Sequence, residues 1–150
     1  MELLIASQNQ NKIQEIQKLL PNWAIKGISA EDFPHELRED GESLEENALQ
    51  KMRQVYEKSR ANCFADDTGL EVNALDGEPG VYSARYAGNG KSSQDNMTKL
   101  LAKMSGQSDR SAQFRTVIAL HWQGEELLFQ GVCKGQISLQ RMGEKGFGYD

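Results

Sequence analysis

Two adjacent carboxylates at the end of a short apolar run are the feature that most constrains this chain. Asp66 and Asp67 follow the apolar residues 63–65, and a Thr-Gly pair comes directly after them. We expect a strand that ends at the aspartates and a turn at the Thr-Gly pair. Because hard divalent cations take oxygen ligands, the pair predicts a metal site or a positioned water; the alternative is an ordinary acidic surface turn. Neighbouring residues of a strand face opposite ways, so we expect only one aspartate to point directly into a site.

A second polar segment follows the first apolar run. The segment Ser7-Gln8-Asn9-Gln10-Asn11-Lys12 comes directly after residues 3–6. Ser7 or Asn9 could simply cap a helix, with Lys12 in solvent. A helix that starts after a strand also binds anions, because its free N–H groups and its dipole both favour negative charge. The segment lacks the glycines of a P-loop, so a phosphate site here would be of another kind.

Composition narrows the classes of partner. The 150 residues include 17 basic and 22 acidic side chains, a net charge of -5. This balance argues against broad nucleic-acid binding, which depends on neutralising many phosphates, but one metal ion and a few lysines can offset a small polyanion. There is no apolar run of membrane-spanning length and no signal peptide, so we expect a cytoplasmic protein without a membrane partner. Cys63 and Cys133 show no metal spacing and are expected to be reduced, buried thiols.

The order of apolar patterns predicts an α/β fold in one domain covering residues 1–150. Strands are expected at 2–6, 23–28 and 62–66, with a further one at 70–75, and helices near 10–20, 44–60 and 93–104. Ser43 and Glu46 form the sequence pattern of a capping box at the second helix. Residues 76–91 are expected to be irregular, and 112–122, 126–133 and 136–142 to form an antiparallel meander. The predicted architecture is a mixed central sheet flanked by helices, with an antiparallel C-terminal portion.

Five motifs, in order, resemble the inosine triphosphate pyrophosphatase family, which hydrolyses non-standard purine nucleoside triphosphates. They cover nearly the whole chain. The motifs are Ser7-x-Asn9-x-x-Lys12, the Glu-Asn-Ala helix with its following lysine at 43–51, the Asp-Asp-Thr-Gly-Leu signature at 66–70, the Gly-rich loop at 77–86 and Gly-Phe-Gly-Tyr-Asp at 146–150.

The resemblance implies Mg²⁺-dependent cleavage between the α- and β-phosphates, giving a nucleoside monophosphate and pyrophosphate, by a homodimer of the inosine triphosphatase-like fold. It implies that Asp67 is the catalytic carboxylate and a metal ligand, and that Glu39 is a second metal ligand. Whether Asp66 shares the catalytic and metal-binding roles of Asp67 stays open. The substrate-binding residues that the resemblance implies are Ser7, Gln8, Asn9, Gln10, Asn11, Lys12, Lys51, Thr68, Phe147, Gly148, Tyr149 and Asp150.

One departure from the family pattern concerns the end of the chain. Members continue beyond the last motif with a strand, a lysine and a Ser-His-Arg segment, whereas this sequence ends at Asp150. We therefore expect a form that lacks the family's C-terminal segment, binds nucleotide weakly and hydrolyses it slowly.

Three other functions remain as alternatives. Asp67-Thr68-Gly69 also matches the signature of aspartic proteases, although those are nearly all β and this chain has three capped helical patterns. The chain could instead bind nucleotides without turning them over. It could also be a relative in the wider fold superfamily that acts on other nucleotides.

Overall fold

The computed structural model describes residues 1–144, 146 and 148–150. The helices and strands, in chain order, are β1 (Glu2–Ile5), α1 (Gln10–Leu19), β2 (Ala24–Gly27), α2 (Leu44–Ser59), β3 (Cys63–Val72), β4 (Pro79–Gly80), α3 (Ser93–Lys103), β5 (Ser111–Trp122) and β6 (Glu125–Gln136). Short 3-10 helices lie at Asn73–Leu75 and Ser83–Arg85. The second of these and β4 lie in the segment 76–91 that the sequence predicts to be irregular. In the described part of the chain, no helix has the length and apolar character needed to cross a membrane.

The strands form one mixed sheet in the order β2-β1-β3-β5-β6, with β4 paired to β3. Strand β1 runs parallel to both β2 and β3, and Leu4 lies opposite Cys63. Strands β5 and β6 are hydrogen-bonded neighbours joined only by Gln123 and Gly124, whose φ values are 48° and 90°. Two residues with positive φ make a tight hairpin turn, so this pair is antiparallel. The predicted mixed α/β fold with an antiparallel C-terminal portion is confirmed.

The chain divides into two compact units, each with its own hydrophobic cluster. The first unit comprises residues 1–67 and 117–130, and the second comprises residues 68–116 and 131–150. In the first unit the buried cluster contains Leu3, Ile5, Ile13, Ile25 and Phe64. In the second unit it contains Leu70, Val72, Tyr86, Leu100, Met104 and Ala112. The predicted polar residues from Ser7 to Asp67 all belong to the first unit.

Each α-helix begins at a side-chain cap. Asn9 caps α1, Ser43 caps α2 and Ser92 caps α3, in each case by accepting backbone N–H groups of the first turn. Ser43 Oγ accepts the Glu46 N–H at 3.1 Å, as the capping box predicts. The Glu46 carboxylate reaches one residue further back than in the standard box, to the Glu42 N–H at 2.7 Å.

Strand β3 is longer than the sequence predicts. It runs without interruption from Cys63 to Val72, so the turn expected at the Thr-Gly pair after Asp67 is wrong. Leu70 and Val72 are buried on alternate positions, and Leu70 pairs with Gly80 of β4. Because burial of these two residues requires extended backbone, it overrides the local turn preference of the Thr-Gly pair.

The strand predicted at 136–142 is also wrong. Strand β6 ends at Gln136, and residues 137–142 form no strand. The Arg110 guanidinium holds this segment instead, donating to Ile137 O at 2.6 Å and to Ser138 O at 2.8 Å. A side chain that binds the backbone carbonyls takes the place of a strand partner.

The two cysteines differ in burial. Cys63 is buried in β3, and this burial raises the pKa of its thiol to about 11. Cys133 is exposed, so the prediction that both thiols are buried is wrong for this residue. It lies in β6, at the edge of the sheet, where all residues of the strand are exposed.

Gly27, the last residue of β2, allows the start of α1 to approach the strand closely. A Cβ atom at this position would lie 2.8 Å from Ser7 O and 2.4 Å from Ile13 Cδ1. Ser7 O also accepts the Ile28 N–H at 3.2 Å. The absence of a side chain therefore sets how near the polar segment beginning at Ser7 can lie to the sheet.

We expect Gly27→Ala to lower the free energy of unfolding by about 1–3 kcal/mol, because the added methyl group forces backbone and core atoms apart. Urea denaturation measures the change. Gly131→Ala is the matched control, since a Cβ there meets no atom within 4 Å. Equal loss of stability in the two variants would contradict the close approach.

Candidate functional site

The parallel pairing of β1 with β3 brings the two polar segments to one edge of the sheet. Ala6 donates its N–H to Phe64 O at 2.8 Å, at the carboxyl end of β1. The chain leaves β1 here toward α1, while β3 continues into Asp66 and Asp67. Ligands of open α/β sheets bind at the carboxyl ends of parallel strands, so this position is a candidate site.

The start of α1 is a capped helix end with exposed polar side chains. Asn9 Oδ1 accepts the N–H groups of Asn11 and Lys12 at 3.0 and 3.3 Å, and Ser7 Oγ accepts the Asn9 N–H at 3.1 Å. The capping interpretation of Asn9 is therefore confirmed. Since the cap occupies these N–H groups, the Lys12 ammonium is the main feature that this helix start offers to an anion. Whether this segment binds phosphate stays a prediction.

Lys12 forms an ion pair with the first aspartate of the pair. Its Nζ lies 3.1 and 3.0 Å from the two carboxylate oxygens of Asp66. The side chain of Lys12 is 35% exposed and that of Asp66 is 17% exposed. This contact joins the start of α1 to β3, so the two segments singled out in the sequence do meet.

Lys51 of α2 joins the second aspartate to the acidic loop. Its Nζ lies 3.0 Å from Glu39 Oε2 and 3.8 Å from Asp67 Oδ1, and it donates to Asp66 O at 2.7 Å. Its side chain is only 15% exposed. The predicted metal ligands Glu39 and Asp67 therefore converge on one ammonium group, and the carboxylates of the two aspartates pair with different lysines.

Burial dominates the electrostatics of Asp67. Desolvation raises the pKa of this carboxyl above its ordinary value, and the negative charges of Glu39 and Asp66 act in the same direction. The Lys51 ammonium and a hydrogen bond from the Asn47 side chain oppose the rise. Among the described residues, Asp67 Oδ2 is buried and has no hydrogen-bond partner. An ionised oxygen in that state is costly without a ligand.

This donor set fits a magnesium ion. In the part of the chain that the structure describes, no group of three or more His, Cys, Asp or Glu side chains could hold a metal. Mg²⁺ commonly takes only one or two protein carboxylates, with water and substrate phosphates completing its octahedron. Asp67, with its unpartnered oxygen, and Glu39 supply two such carboxylates.

The remaining predicted residues lie in the second unit. Thr68 is exposed, and its Oγ1 lies 2.7 Å from Thr116 Oγ1. Tyr149 donates its hydroxyl to Ser83 O at 2.6 Å. Tyr149 and Asp150 line a mostly apolar cavity of about 250 Å³. Gly148 is half-buried, whereas Phe147 lies outside the described residues.

Asn47 is a site residue that the sequence did not single out. It is 2% exposed, and it lies one helical turn before Lys51 on α2. That spacing, four residues on one helix, places both side chains on the same face. The signal available in the sequence was the position of Asn47 in the Glu-Asn-Ala motif, four residues before Lys51.

Comparison with known proteins identifies the family. The model of the Ham1 family matches residues 3–150. This chain belongs to the Ham1 family. The resemblance derived from its motifs is therefore confirmed, and the alternative of an aspartic protease does not fit this α/β family.

Several Ham1-family relatives are similar over the whole chain. The dITP/XTP pyrophosphatase of Flavobacterium johnsoniae is 49% identical over 152 residues, covering 100% of this chain and 79% of the relative. That of Staphylococcus aureus is 43% identical, covering 99% and 77%. The solved structure of the Staphylococcus aureus Ham1 protein superposes with a TM-score of 0.89 at 43% identity, covering 100% of this chain and 79% of that one. The Mycobacterium abscessus nucleoside-triphosphatase / dITP/XTP pyrophosphatase has a TM-score of 0.82 at 39% identity, covering 100% and 81%.

The raised pKa of Asp67 predicts how the stability of this Ham1-family protein depends on pH. A carboxyl whose pKa is higher in the folded state destabilises the fold above that pKa, and this effect disappears as the pH falls toward the ordinary carboxyl value. We therefore expect Asp67→Asn to have a higher free energy of unfolding than the wild type at about pH 7, and the gap to narrow toward about pH 4. Urea denaturation of the wild type and the variant at each pH, with a chelator present, measures these free energies of unfolding.

Asp76→Asn makes the same change on an exposed turn and serves as the control. It should leave the free energy of unfolding close to that of the wild type across this range. A loss of stability in Asp67→Asn at neutral pH would contradict the dominance of desolvation.

Proposed function

We propose that this protein hydrolyses non-canonical purine nucleoside triphosphates, such as ITP, dITP and XTP, to the monophosphate and pyrophosphate, and so removes them from the nucleotide pool. Its Ham1-family relatives bear the name dITP/XTP pyrophosphatase, which supports this substrate class. The observation that carries the proposal is the convergence of three carboxylates and two ammonium groups at the edge of the first unit's strands.

The charge of this cluster supports a requirement for Mg²⁺. Three carboxylates against two ammonium groups leave one excess negative charge, which would repel a triphosphate. A divalent cation reverses the sign of the cluster. Glu39 and Asp67 are the expected ligands, because both oxygens of Asp66 are engaged by Lys12.

In the proposed reaction Asp67 acts as the general base. Mg²⁺, when bound, neutralises phosphate charge and lowers the pKa of a coordinated water. The Asp67 carboxylate takes a proton from the attacking water, and the water oxygen bonds to the α-phosphorus. The bond from the α-phosphorus to the oxygen that bridges to the β-phosphate breaks, and pyrophosphate leaves. Burial raises the pKa of Asp67 and so moves this carboxyl toward the pH at which a base works best.

The lysines and the polar start of α1 would hold the phosphates. Lys12 and Lys51 now bind carboxylates, and a bound triphosphate would compete for the same ammonium groups. The polar side chains that precede Lys12 would add hydrogen bonds to the phosphates; they are Ser7, Gln8, Asn9, Gln10 and Asn11. Contacts to the rest of the nucleotide are proposed for Thr68, Phe147, Gly148, Tyr149 and Asp150.

The proposed assembly rests on the family resemblance, and the proposed location rests on the sequence pattern. We propose a homodimer, since the resemblance implies one. A cytoplasmic location would put the enzyme with the nucleotide pool on which it acts. Nucleic acid is not proposed as a partner, because the net charge of -5 disfavours binding to many phosphates.

Pyrophosphate release from ITP, XTP and dTTP with Mg²⁺ tests the function. We expect pyrophosphate from ITP and XTP, much less from dTTP, and none after addition of a chelator. Asp67→Asn should lower kcat by roughly 10²- to 10⁴-fold, the usual contribution of a general base, because the amide keeps the shape but cannot take the proton.

Asp76→Asn, on the exposed turn after β3, is the matched control and should retain wild-type turnover. Release of orthophosphate without pyrophosphate would contradict cleavage between the α- and β-phosphates. Full activity in Asp67→Asn would show that Asp67 is not the general base.

A further inference from the structure

The Gly-rich loop that follows β4 is tied to α3 by a buried side-chain amide. Asn96 of α3 is 3% exposed. Its Nδ2 donates to Ser83 O at 3.3 Å and to Ala84 O at 3.0 Å, and its Oδ1 accepts the Ala87 N–H at 2.8 Å. Because both N–H groups and the oxygen of the amide have partners in the loop backbone, the amide favours one conformation of this loop.

Ser83 also joins the loop to the strands of the second unit. The residue is 7% exposed, and its Oγ accepts the Leu70 N–H at 2.8 Å and donates to Gly80 O at 2.6 Å. Leu70 lies in β3, two residues after Thr68. The position of the Ser83 carbonyl is therefore set by β3 and β4 through the hydroxyl, and by α3 through Asn96.

The same carbonyl anchors the side chain of Tyr149. The Tyr149 hydroxyl donates to Ser83 O at 2.6 Å, and its ring packs against the buried cluster of the second unit. Burial raises the pKa of the Tyr149 phenol, so the hydroxyl keeps the proton that it donates. A carbonyl oxygen has two lone pairs and can accept from both Tyr149 and Asn96. The C-terminal motif and α3 therefore meet at one backbone oxygen.

We propose that Asn96 is a positioning residue for the nucleotide contact of Tyr149. Its amide holds the Ser83 carbonyl where this oxygen accepts the Tyr149 hydroxyl, and so fixes the Tyr149 side chain in the wall of the cavity of the second unit. This role rests on the proposed function, in which Tyr149 contacts the nucleotide. Because Asn96 acts through Ser83 and not on the phosphates, its loss should weaken nucleotide binding more than it slows the chemical step.

The substitution Asn96→Asp separates the two sides of the amide. The carboxylate can still accept the Ala87 N–H, whereas both donors are lost and a negative charge faces Ser83 O and Ala84 O. Repulsion between these oxygens displaces the Ser83 carbonyl and weakens its hydrogen bond with Tyr149.

We expect Asn96→Asp to raise KM for ITP with Mg²⁺ roughly fivefold, the effect of about one lost hydrogen bond, while kcat stays within about twofold of wild type. Asn73→Asp is the matched control, since it makes the same change on an exposed residue of the same unit, whose amide donates to Ser111 Oγ at 2.7 Å. Its KM should remain at the wild-type value. Equal KM values in the two variants, or a fall in kcat that exceeds the rise in KM, would overturn the proposal.

A spectroscopic measurement distinguishes positioning from a purely structural role. The four tyrosines are labelled as 3-fluorotyrosine, and their ¹⁹F signals are assigned with variants that replace one tyrosine at a time by phenylalanine. The Tyr149 signal should shift in Asn96→Asp but not in Asn73→Asp. A role limited to stabilising the loop predicts a lower free energy of unfolding with an unshifted Tyr149 signal, and that result contradicts positioning.

A reciprocal variant covers the case in which Asn96→Asp does not fold. Tyr149→Phe removes the other donor to Ser83 O, so it should shift the side-chain NH₂ signals of Asn96 in ¹H–¹⁵N spectra. Tyr82→Phe makes the same change on a residue that is 58% exposed and should leave these signals unchanged. Asn96 signals that do not respond to Tyr149→Phe refute the shared anchor.

These spectra need no turnover, so the inference and the proposed function can fail separately. Shifted signals without release of pyrophosphate support the anchor, in which case the proposed function alone fails. Release of pyrophosphate with unshifted signals supports the proposed function and rejects the role of Asn96.

Discussion

The ammonium group of Lys51 is the interaction on which the site depends. Two carboxylates, Glu39 from a loop and Asp67 from a strand, lie 3.0 and 3.8 Å from it. At low exposure the repulsion between them is only weakly screened by water, and so is the attraction of each to the amine. Without that cation, the fold would hold two partly buried like charges with no compensation, which is strongly unfavourable.

Helix α2 places residues that are regularly spaced in the sequence on one face, where they contact the loop that carries Glu39 and strand β3. Lys51 reaches Asp67, while Asn47, one turn earlier, accepts the Gly41 N–H and Gln50 accepts the Asp40 N–H, so that both amides hold the loop. The parallel pairing of β1 with β3 supplies the other half, because it puts Lys12 within reach of Asp66. Among the described residues, the buried Oδ2 of Asp67 has no hydrogen-bond partner, a local cost of the kind that functional sites retain.

Prediction from the sequence succeeded where local signals agreed with the packing. Caps and apolar periodicity located all three helices, and the hairpin of β5 and β6 followed from alternation around a Gln-Gly turn. It failed where packing overruled a local signal. The Thr-Gly pair after Asp67 has turn chemistry, yet burial of Leu70 and Val72 keeps β3 extended. The segment after Gln136 reads as a strand, yet its carbonyls bind the Arg110 guanidinium.

The sequence by itself determined which groups are available to the site: paired aspartates after an apolar run, a lysine in the first turn of α1, an acidic loop, and motifs that mark the Ham1 family. Only the tertiary structure decided which charge meets which. Lys12 pairs with Asp66, and Lys51 pairs with Asp67; among the described residues, the buried Asp67 Oδ2 has no hydrogen-bond partner. The reason is that pairing and desolvation depend on distances and burial between segments, which packing sets and local sequence does not encode.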